Sequence, residues 1–304
     1  MNNVTIMGEA LVDVVGTVAH PGGSPLNVAV GLSRLGHMVT FSTELGGDDY
    51  GQLIGRYLEE SGVQLAAGSI TGRPTSTAVV TFDEEANAEY CFDIHQDLPA
   101  VDADGSVALL HSGSIASWIS PSQHRILEAF RAADATTLRS YDPNLRPALV
   151  EDRDAAVAQI EALCAQSHIV KLSDVDAQWI YPELSFEEVL ADLASLGPAL
   201  VVITKGSEGC LARYGQQIVA VKALPTTVHD TIGAGDAFMS GLLHGVLLSA
   251  ELSSALLARE ELEQKSVSNA LHYALASAAH TVAQAGANPP WSLSLDTNSS
   301  TTSL

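Results

Sequence analysis

From residue 107 onward the chain repeats one unit: a short apolar run, a small polar cluster, then a segment of helical character. The apolar runs fall at 107–111, 137–141, 168–171 and 199–203. They end in Ser112-Gly113-Ser114, Asp142-Pro143-Asn144-Leu145-Arg146-Pro147, Lys171-Leu172-Ser173 and Thr204-Lys205-Gly206. Between them the pattern predicts a helix capped by Ser120-Pro121 and running to about Ala133, another over about 152–165, and a short one capped by Ser173. Strands that alternate with helices in this way predict a mostly parallel sheet with helices on both faces. Such sheets bind ligands in the loops after the strands, where these polar clusters lie.

The N-terminal part fits the same plan. Val4–Met7 reads as a buried strand ending at Gly8, followed by Glu9-Ala10-Leu11-Val12-Asp13. Asp13 lies close to a strand end, where a carboxylate serves either a ligand or a turn. Gly22-Gly23-Ser24-Pro25-Leu26-Asn27 opens a helix that Gly36 stops. Ser24 is read as its N-cap and Pro25 as its first residue. Asn27, in the first turn, can donate to and accept from hydroxyl groups. Val39–Thr43 is a strand, Gly46-Gly47-Asp48-Asp49 a turn and cap, and about Tyr50 to Ser61 a helix. Residues 72–94 differ: two alternating strands joined by a polar connection at Asp83–Asn87, with no adjoining helix. Two strands alone are marginal in water, so partners are expected for them.

Asp230-Thr231-Ile232-Gly233-Ala234-Gly235-Asp236 runs straight into an apolar helix carrying Phe238, Leu242, Leu243 and Val246. The first N–H groups of a helix lack internal partners and attract anions. Small side chains at 233–235 would let a phosphate reach them. Asp236, at the edge of that nest, either offsets the helix dipole or takes a proton from an attacking hydroxyl. A polar, helix-prone stretch (Glu251–Gln264) and a long helix (about Ser266 to Ala285) complete the chain before Gly286-Ala287-Asn288-Pro289-Pro290.

Several function classes are disfavoured. The formal net charge is −22, with no basic patch to suit nucleic acid or an anionic membrane. Three well-separated cysteines suggest neither a disulfide framework nor a zinc site, and ten histidines show no metal spacing. No P-loop, no dinucleotide-binding Gly-x-Gly-x-x-Gly after a strand and no Gly-x-Ser-x-Gly elbow is present. Without a leader-like N-terminus or an apolar run of membrane-spanning length, a cytoplasmic location is expected.

Asp230-Thr231-x-Gly233-Ala234-Gly235-Asp236 resembles the C-terminal signature of the ribokinase-like (PfkB) carbohydrate kinases. Gly22-Gly23-x-x-x-Asn27-x-Ala29 with Arg34-Leu35-Gly36 resembles their N-terminal signature. The resemblance spans nearly the whole chain. It implies a three-layer α/β/α sandwich over residues 1–290, a small β-sheet lid from strands at about 9–18 and 72–94, and a disordered tail at 291–304. It implies transfer of the γ-phosphoryl of ATP to a primary hydroxyl of a sugar, with Mg2+ and with K+ dependence left open. By the resemblance, Asp236 is the catalytic base and the amides of Gly233, Ala234 and Gly235 hold the transferring group. Asp13, Gly22, Gly23 and Asn27 hold the sugar, and Arg73 and Phe92 touch it or the lid of a second subunit in a homodimer. Asn144 and Arg146 lie near substrate and phosphates. Lys171, Ser173, Thr204, Lys205, Gly206, Gly209 and Asn288 fall on nucleotide-binding segments, although Lys205 equally suits a solvated loop. Ser173 and Asp176 stand where the family has Asn-x-x-Glu, so Asp176 is expected to meet magnesium through water at a shorter reach. Ser24-Pro25 after the glycine pair resembles the bacterial fructokinase-like branch, which makes fructose the expected acceptor. Ribose, a nucleoside, 2-keto-3-deoxygluconate, or a catalytically silent sensor on the same scaffold are the alternatives.

Overall fold

The computed structural model describes residues 1–82, 88–101 and 105–293. The expected connection at Asp83–Asn87 and the expected tail beyond residue 293 lie outside the described residues. The first part of the chain holds β1 (Asn3–Met7), β2 (Leu11–Val15), β3 (Val18–Gly22), α1 (Ser24–Arg34), β4 (Met38–Ser42), β5 (Leu45–Gly46) and α2 (Asp49–Glu60). Short β6 (Gln64–Leu65) and β7 (Ile70–Thr71) lead to the hairpin β8 (Thr77–Phe82) and β9 (Ala88–Asp93). The middle alternates as β10 (Leu109–Gly113), α3 (Ser122–Ala132), β11 (Leu138–Asp142), α4 (Arg153–Gln166), β12 (Ile169–Ser173), α5 (Asp174–Ile180), α6 (Phe186–Leu196) and β13 (Leu200–Thr204). The last part holds β14 (Cys210–Tyr214), β15 (Gln217–Val221), α7 (Ala234–Leu248), α8 (Ala250–Ala258) and α9 (Gln264–Val282).

Nine strands form the main sheet in the order β15-β14-β13-β12-β11-β10-β1-β4-β6. Pairing is parallel from β6 to β13, and β14 and β15 add an antiparallel edge. Helices cover both faces, which is why the central strands are apolar runs rather than alternating ones. One core joins α1, α2, α7, α8 and α9 to the sheet through Ile6, Phe41, Leu109 and Val202. The other joins α3, α4, α5 and α6 through Met7, Leu110, Tyr141 and Val201. The expected three-layer sandwich is therefore present.

α7 is buried on every side from Asp236 to Val246. Glycine makes that possible: a Cβ on Gly241 would lie 2.5 Å from the Tyr273 carbonyl, and one on Gly245 2.7 Å from Ala270 Cα. α7 and α9 thus touch backbone to backbone. Gly31 of α1 likewise leaves room for Ser240, so α1 crosses close over α7.

A second sheet, ordered β3-β2-β8-β9, supplies the partners that the hairpin needs. Sequence reading placed β2, β8 and β9 but not β3. That strand carries Pro21 and lies at the sheet edge, where the missing N–H is tolerated. The β14–β15 pair was also unforeseen. The turn at Asp48 is as expected: its carboxylate accepts from Gly51 N (2.8 Å) and also from Thr75 Oγ1 (2.6 Å), tying α2 to the base of this sheet. Ser24 corrects the reading of the first helix. Gly23 is the N-cap, Ser24 is already helical, and its hydroxyl makes no cap bond.

Candidate active site

α7 starts from Gly233, whose φ of 73° suits glycine, and a Cβ there would lie 2.5 Å from Ala287 Cβ. The Gly286–Asn288 stretch therefore packs directly on the nest, held by a 2.8 Å bond from Gly286 N to Asp230 Oδ2. The Ala234 amide donates to the Thr231 carbonyl at 3.2 Å. Among the described residues the Gly235 and Asp236 amides have no such backbone acceptor, so they are the open donors of the first turn.

Asp236 is buried, with 7% of its surface exposed. The close crossing of α1 and α7 brings Ser24 Oγ to 2.6 Å from Oδ1 and Asn27 Nδ2 to 2.8 Å from Oδ2. Asn144 Nδ2 stands 3.5 Å from Oδ1. The first turn of α1, the loop after β11 and the first turn of α7 thus meet on one carboxylate. Arg146 donates to Asn144 Oδ1 at 2.7 Å and to the carbonyls of Asn144 and Leu145, which fixes its guanidinium beside the cluster.

Asp13 enters from β2. Gly22 pairs with Leu11 across the β2–β3 ladder, and a Cβ on Gly22 would strike the Asp13 carboxylate. Burial raises the Asp13 carboxyl above its ordinary value, while the Arg146 and His20 charges oppose that shift. The Asp13 backbone is paired in the sheet, while no hydrogen bond to its carboxylate oxygens is found among the described residues. Gly23 packs on the Glu9 carbonyl, 2.7 Å from where its Cβ would be. Glu9 itself is fully buried. Its Oε2 accepts from Ala116 N at 3.1 Å, its Oε1 has no partner, and burial pushes its carboxyl up to about 7.

Beneath the nest lies an ion pair that sequence reading did not foresee as a pair. Lys171 Nζ is 2.7 Å from Asp142 Oδ2, and the two side chains are 4% and 1% exposed. Burial works against the Lys171 ammonium, but Asp142, Asp236 and Asp176 together carry its pKa above the ordinary value. Burial pushes the Asp142 carboxyl up to about 6, against the pull of Lys171. Nζ lies 3.3 Å from the place a Cβ would take on Gly235, so the ammonium sits directly under the open amides. Next to it His111 is held neutral by burial and by the Lys171 charge, with Nδ1 2.9 Å from Ser140 Oγ.

Ser173 and Thr204 stand side by side at the ends of β12 and β13. Gly206 opens a short turn over Gly206–Glu208. Asp176 forms a capping box with Ser173, and its oxygens accept from Leu145 N (2.9 Å) and Ser173 N (3.0 Å). Each oxygen keeps a lone pair for a water. No group of three or more His, Cys, Asp or Glu among the described residues is placed to hold a metal. Magnesium is commonly held through substrate phosphates, waters and one or two carboxylates, and Asp176 offers one carboxylate beside the strand ends.

Other expected residues stand apart from this cluster. Arg73 is committed to buried Glu44 (2.6 Å) and to Asp97 (3.4 Å). Lys205 pairs with Glu208 at 2.6 Å. Asn288 accepts from Arg34 (2.7 Å) and donates to Gln284 (2.6 Å), so Ala287 rather than Asn288 meets the nest. Gly209 is required by close packing on the Val221 carbonyl. Phe92 packs from β9 against the core that includes Ala78 and Leu98. Ser24, Glu9 and Asp142 are the additions. Ser24 had a visible signal, since it directly follows the glycine pair, but its partner lies 212 residues away.

Residues 2–293 match the pfkB family carbohydrate kinase profile. A fructokinase of Rhizobium leguminosarum bv. trifolii is 33% identical over 254 residues, covering 78% of this chain and 77% of the relative. A double mutant of the Vibrio cholerae O395 fructokinase, solved with fructose, ADP and potassium ion, superimposes with a TM-score of 0.80 at 26% identity over 94% of both chains. The Salmonella enterica aminoimidazole riboside kinase shares the fold, with a TM-score of 0.79 at 24% identity over 94% of this chain and 95% of that one. With two separate signatures joined at one buried carboxylate, and with the family match running almost end to end, the chain belongs to the pfkB family of carbohydrate kinases.

Proposed function

We propose that this ATP-dependent sugar kinase phosphorylates fructose at a primary hydroxyl, with Asp236 as the base. The observation that carries the reading is the meeting of Asp236 with Ser24 and Asn27: the segment expected to hold sugar is bonded to the acid beside the anion nest. Fructose is favoured by the Ser24-Pro25 pair and by the fructokinases among the relatives.

The chemistry asked of the chain is placement and charge. Asp13 and Asn27 bind sugar hydroxyls, which leaves the reacting hydroxyl facing Asp236. That oxygen bonds to the γ-phosphorus as the bond to ADP breaks, and its proton passes to Asp236. The Gly235 and Asp236 amides, with Lys171 beneath them, meet the charge on the transferring group. Magnesium, when bound with the nucleotide, neutralises charge across the phosphates. Ser173, Thr204 and Gly206 line the strand ends where the nucleotide would lie, and Asp176 would meet magnesium through water. In a homodimer the second sheet is the contact surface. No single described helix is long and apolar enough to cross a membrane.

The test is ADP release with fructose, ribose, adenosine and 2-keto-3-deoxygluconate, each with and without potassium. Fructose should give the highest kcat/KM, and a clear preference for another acceptor refutes the substrate assignment. Asp236→Asn should lower kcat by at least ~10²-fold with sugar binding retained, the usual scale for a general base. Near-normal turnover would remove Asp236 from the role.

A further inference from the structure

At the end of the sheet remote from the cleft, Arg139 meets a buried imidazole, with Arg259 close enough for its charge to act on both. Arg139 is the second residue of β11, three before Asp142, and its side chain leaves toward the start of β12. Its Nε donates to the Gln166 carbonyl at 2.7 Å, and its Nη2 lies 3.3 Å from Nε2 of His168. His168 is 3% exposed. Its Nδ1 already accepts the backbone N–H of Arg139 at 3.0 Å. Burial, with Arg139 and Arg259 nearby, holds this imidazole neutral, its pKa pushed down to about 4. A neutral imidazole has one donor and one acceptor nitrogen. With Nδ1 accepting, Nε2 carries the proton, so an N–H of His168 and an N–H of Arg139 face each other. Two donors at that distance call for an acceptor beside them.

Arg259, the exposed C-cap of α8, lies on the same side of the sheet. Its Nη1 lies 3.2 Å from the place a Cβ would take on Gly197, and that place is 3.2 Å from the Ala165 carbonyl, next to Gln166. The Arg139 guanidinium is itself depressed by burial and by Arg259. In a chain with 36 acidic residues against 14 lysines and arginines, neither guanidinium has a carboxylate within ion-pair distance among the described residues. The helix ends explain part of this. Arg139 caps the C-terminus of α4, Arg259 lies at that of α6 and is itself the C-cap of α8, and each such end carries roughly −0.5 charge. Together these offset about one and a half of the two positive charges and leave about half a charge unmatched.

We propose that Arg139, Arg259 and His168 form an anion site for a phosphate group, separate from the catalytic nest. A planar guanidinium fork on each side and one imidazole N–H suit a tetrahedral oxyanion. The group arrives either as free phosphate or as a phosphate monoester.

The test is calorimetry on the full chain with the catalytic cleft saturated by ADP and fructose. Inorganic phosphate and methyl phosphate are titrated in separate arms at constant ionic strength in chloride. The wild type should bind one phosphate with a Kd in the millimolar range, and phosphate should raise its melting temperature. Arg259→Asn, chosen because Asn tolerates the left-handed backbone at that position (φ 53°), should weaken binding at least ~10-fold and leave kcat unchanged. Binding of methyl phosphate as tight as that of inorganic phosphate assigns the site to monoesters, and binding of inorganic phosphate alone assigns it to the free ion. Absence of uptake by the wild type at ~50 mM phosphate, or equal affinity in the wild type and the variant, overturns the proposal.

Discussion

Replacing Lys171 by Met removes one charge and keeps the apolar stem, and the geometry fixes two separate consequences. The first is stability. Removing one partner of a buried ion pair costs about 3–5 kcal/mol, because the survivor is left uncompensated. Asp142 has a partial escape, since its carboxyl is already raised to about 6 and can take a proton. The loss should therefore shrink on acidification toward pH 5. The second is turnover. A phosphoryl group on the Gly235 amide would stand about 6 Å from Nζ, and at an effective dielectric of about 20 the attraction is about 2.8 kcal/mol. Asp142, roughly 2.5 Å farther off, repels by about 2 kcal/mol, leaving a net gain of about 0.8 kcal/mol. Lys171 is what holds the Asp142 carboxyl down, so kinetics are compared at the highest pH the fold tolerates, where Asp142 stays ionised; there Met alone leaves the repulsion standing, and Lys171→Met should lose about 2.8 kcal/mol, or ~10²-fold in kcat. The double variant Lys171→Met/Asp142→Leu loses both terms and should run only about fourfold below the wild type, with its stability largely restored. Urea denaturation and coupled ADP-release kinetics on the two variants read both quantities. A double variant as slow as the single one, or a single variant with wild-type turnover, refutes the charge argument.

Glu9 gives a pH prediction. Its carboxyl rises from 4.5 to about 7 on folding, so between those values the folded chain holds a proton that the unfolded chain has lost. Stability from this group is present below pH 4.5 and is lost as pH rises to about 7, by on the order of 3 kcal/mol. Glu9→Gln removes that dependence, so its urea midpoint should gain on the wild type from pH 5 to pH 8, and parallel curves would contradict the assignment. Arg73→Gln separates two roles. Held by Glu44 and Asp97, Arg73 should show a stability loss on the order of 1 kcal/mol with the fructose KM nearly unchanged. A tenfold rise in KM with unchanged stability would place Arg73 on the sugar.

Backbone features were the legible part. Strand runs, helix stops and the bare nest at 233–235 are local, and the sandwich followed from their alternation. Side-chain partners were not local. Ser24 has the sequence context of a cap, yet its hydroxyl belongs to Asp236. Lys171 and Asp142 each look like loop polar groups at strand ends, and only the adjacency of β11 and β12 makes them a pair. The converse holds for Arg73, Lys205 and Asn288, whose charge or amide suited a ligand until nearby acids and amides claimed them. Edge strands β3 and β15 were hard to see because strands at an edge need no continuous apolar run.

The bare glycines between α7 and α9 decide which part of this enzyme can yield. Helices in van der Waals contact along their main chains cannot slide without opening a void, and interiors this dense resist that. Asp236 and the amides beside it are thus anchored to a helix pair that resists sliding. With Asp13 holding the sugar as proposed, accommodation of different substrates would fall to the four-stranded sheet that carries it, entered from β1 over residues 8–10 and left into α1 through Gly23. Substitutions that alter which sugar is accepted should collect on that sheet, and those that abolish phosphoryl transfer on α7.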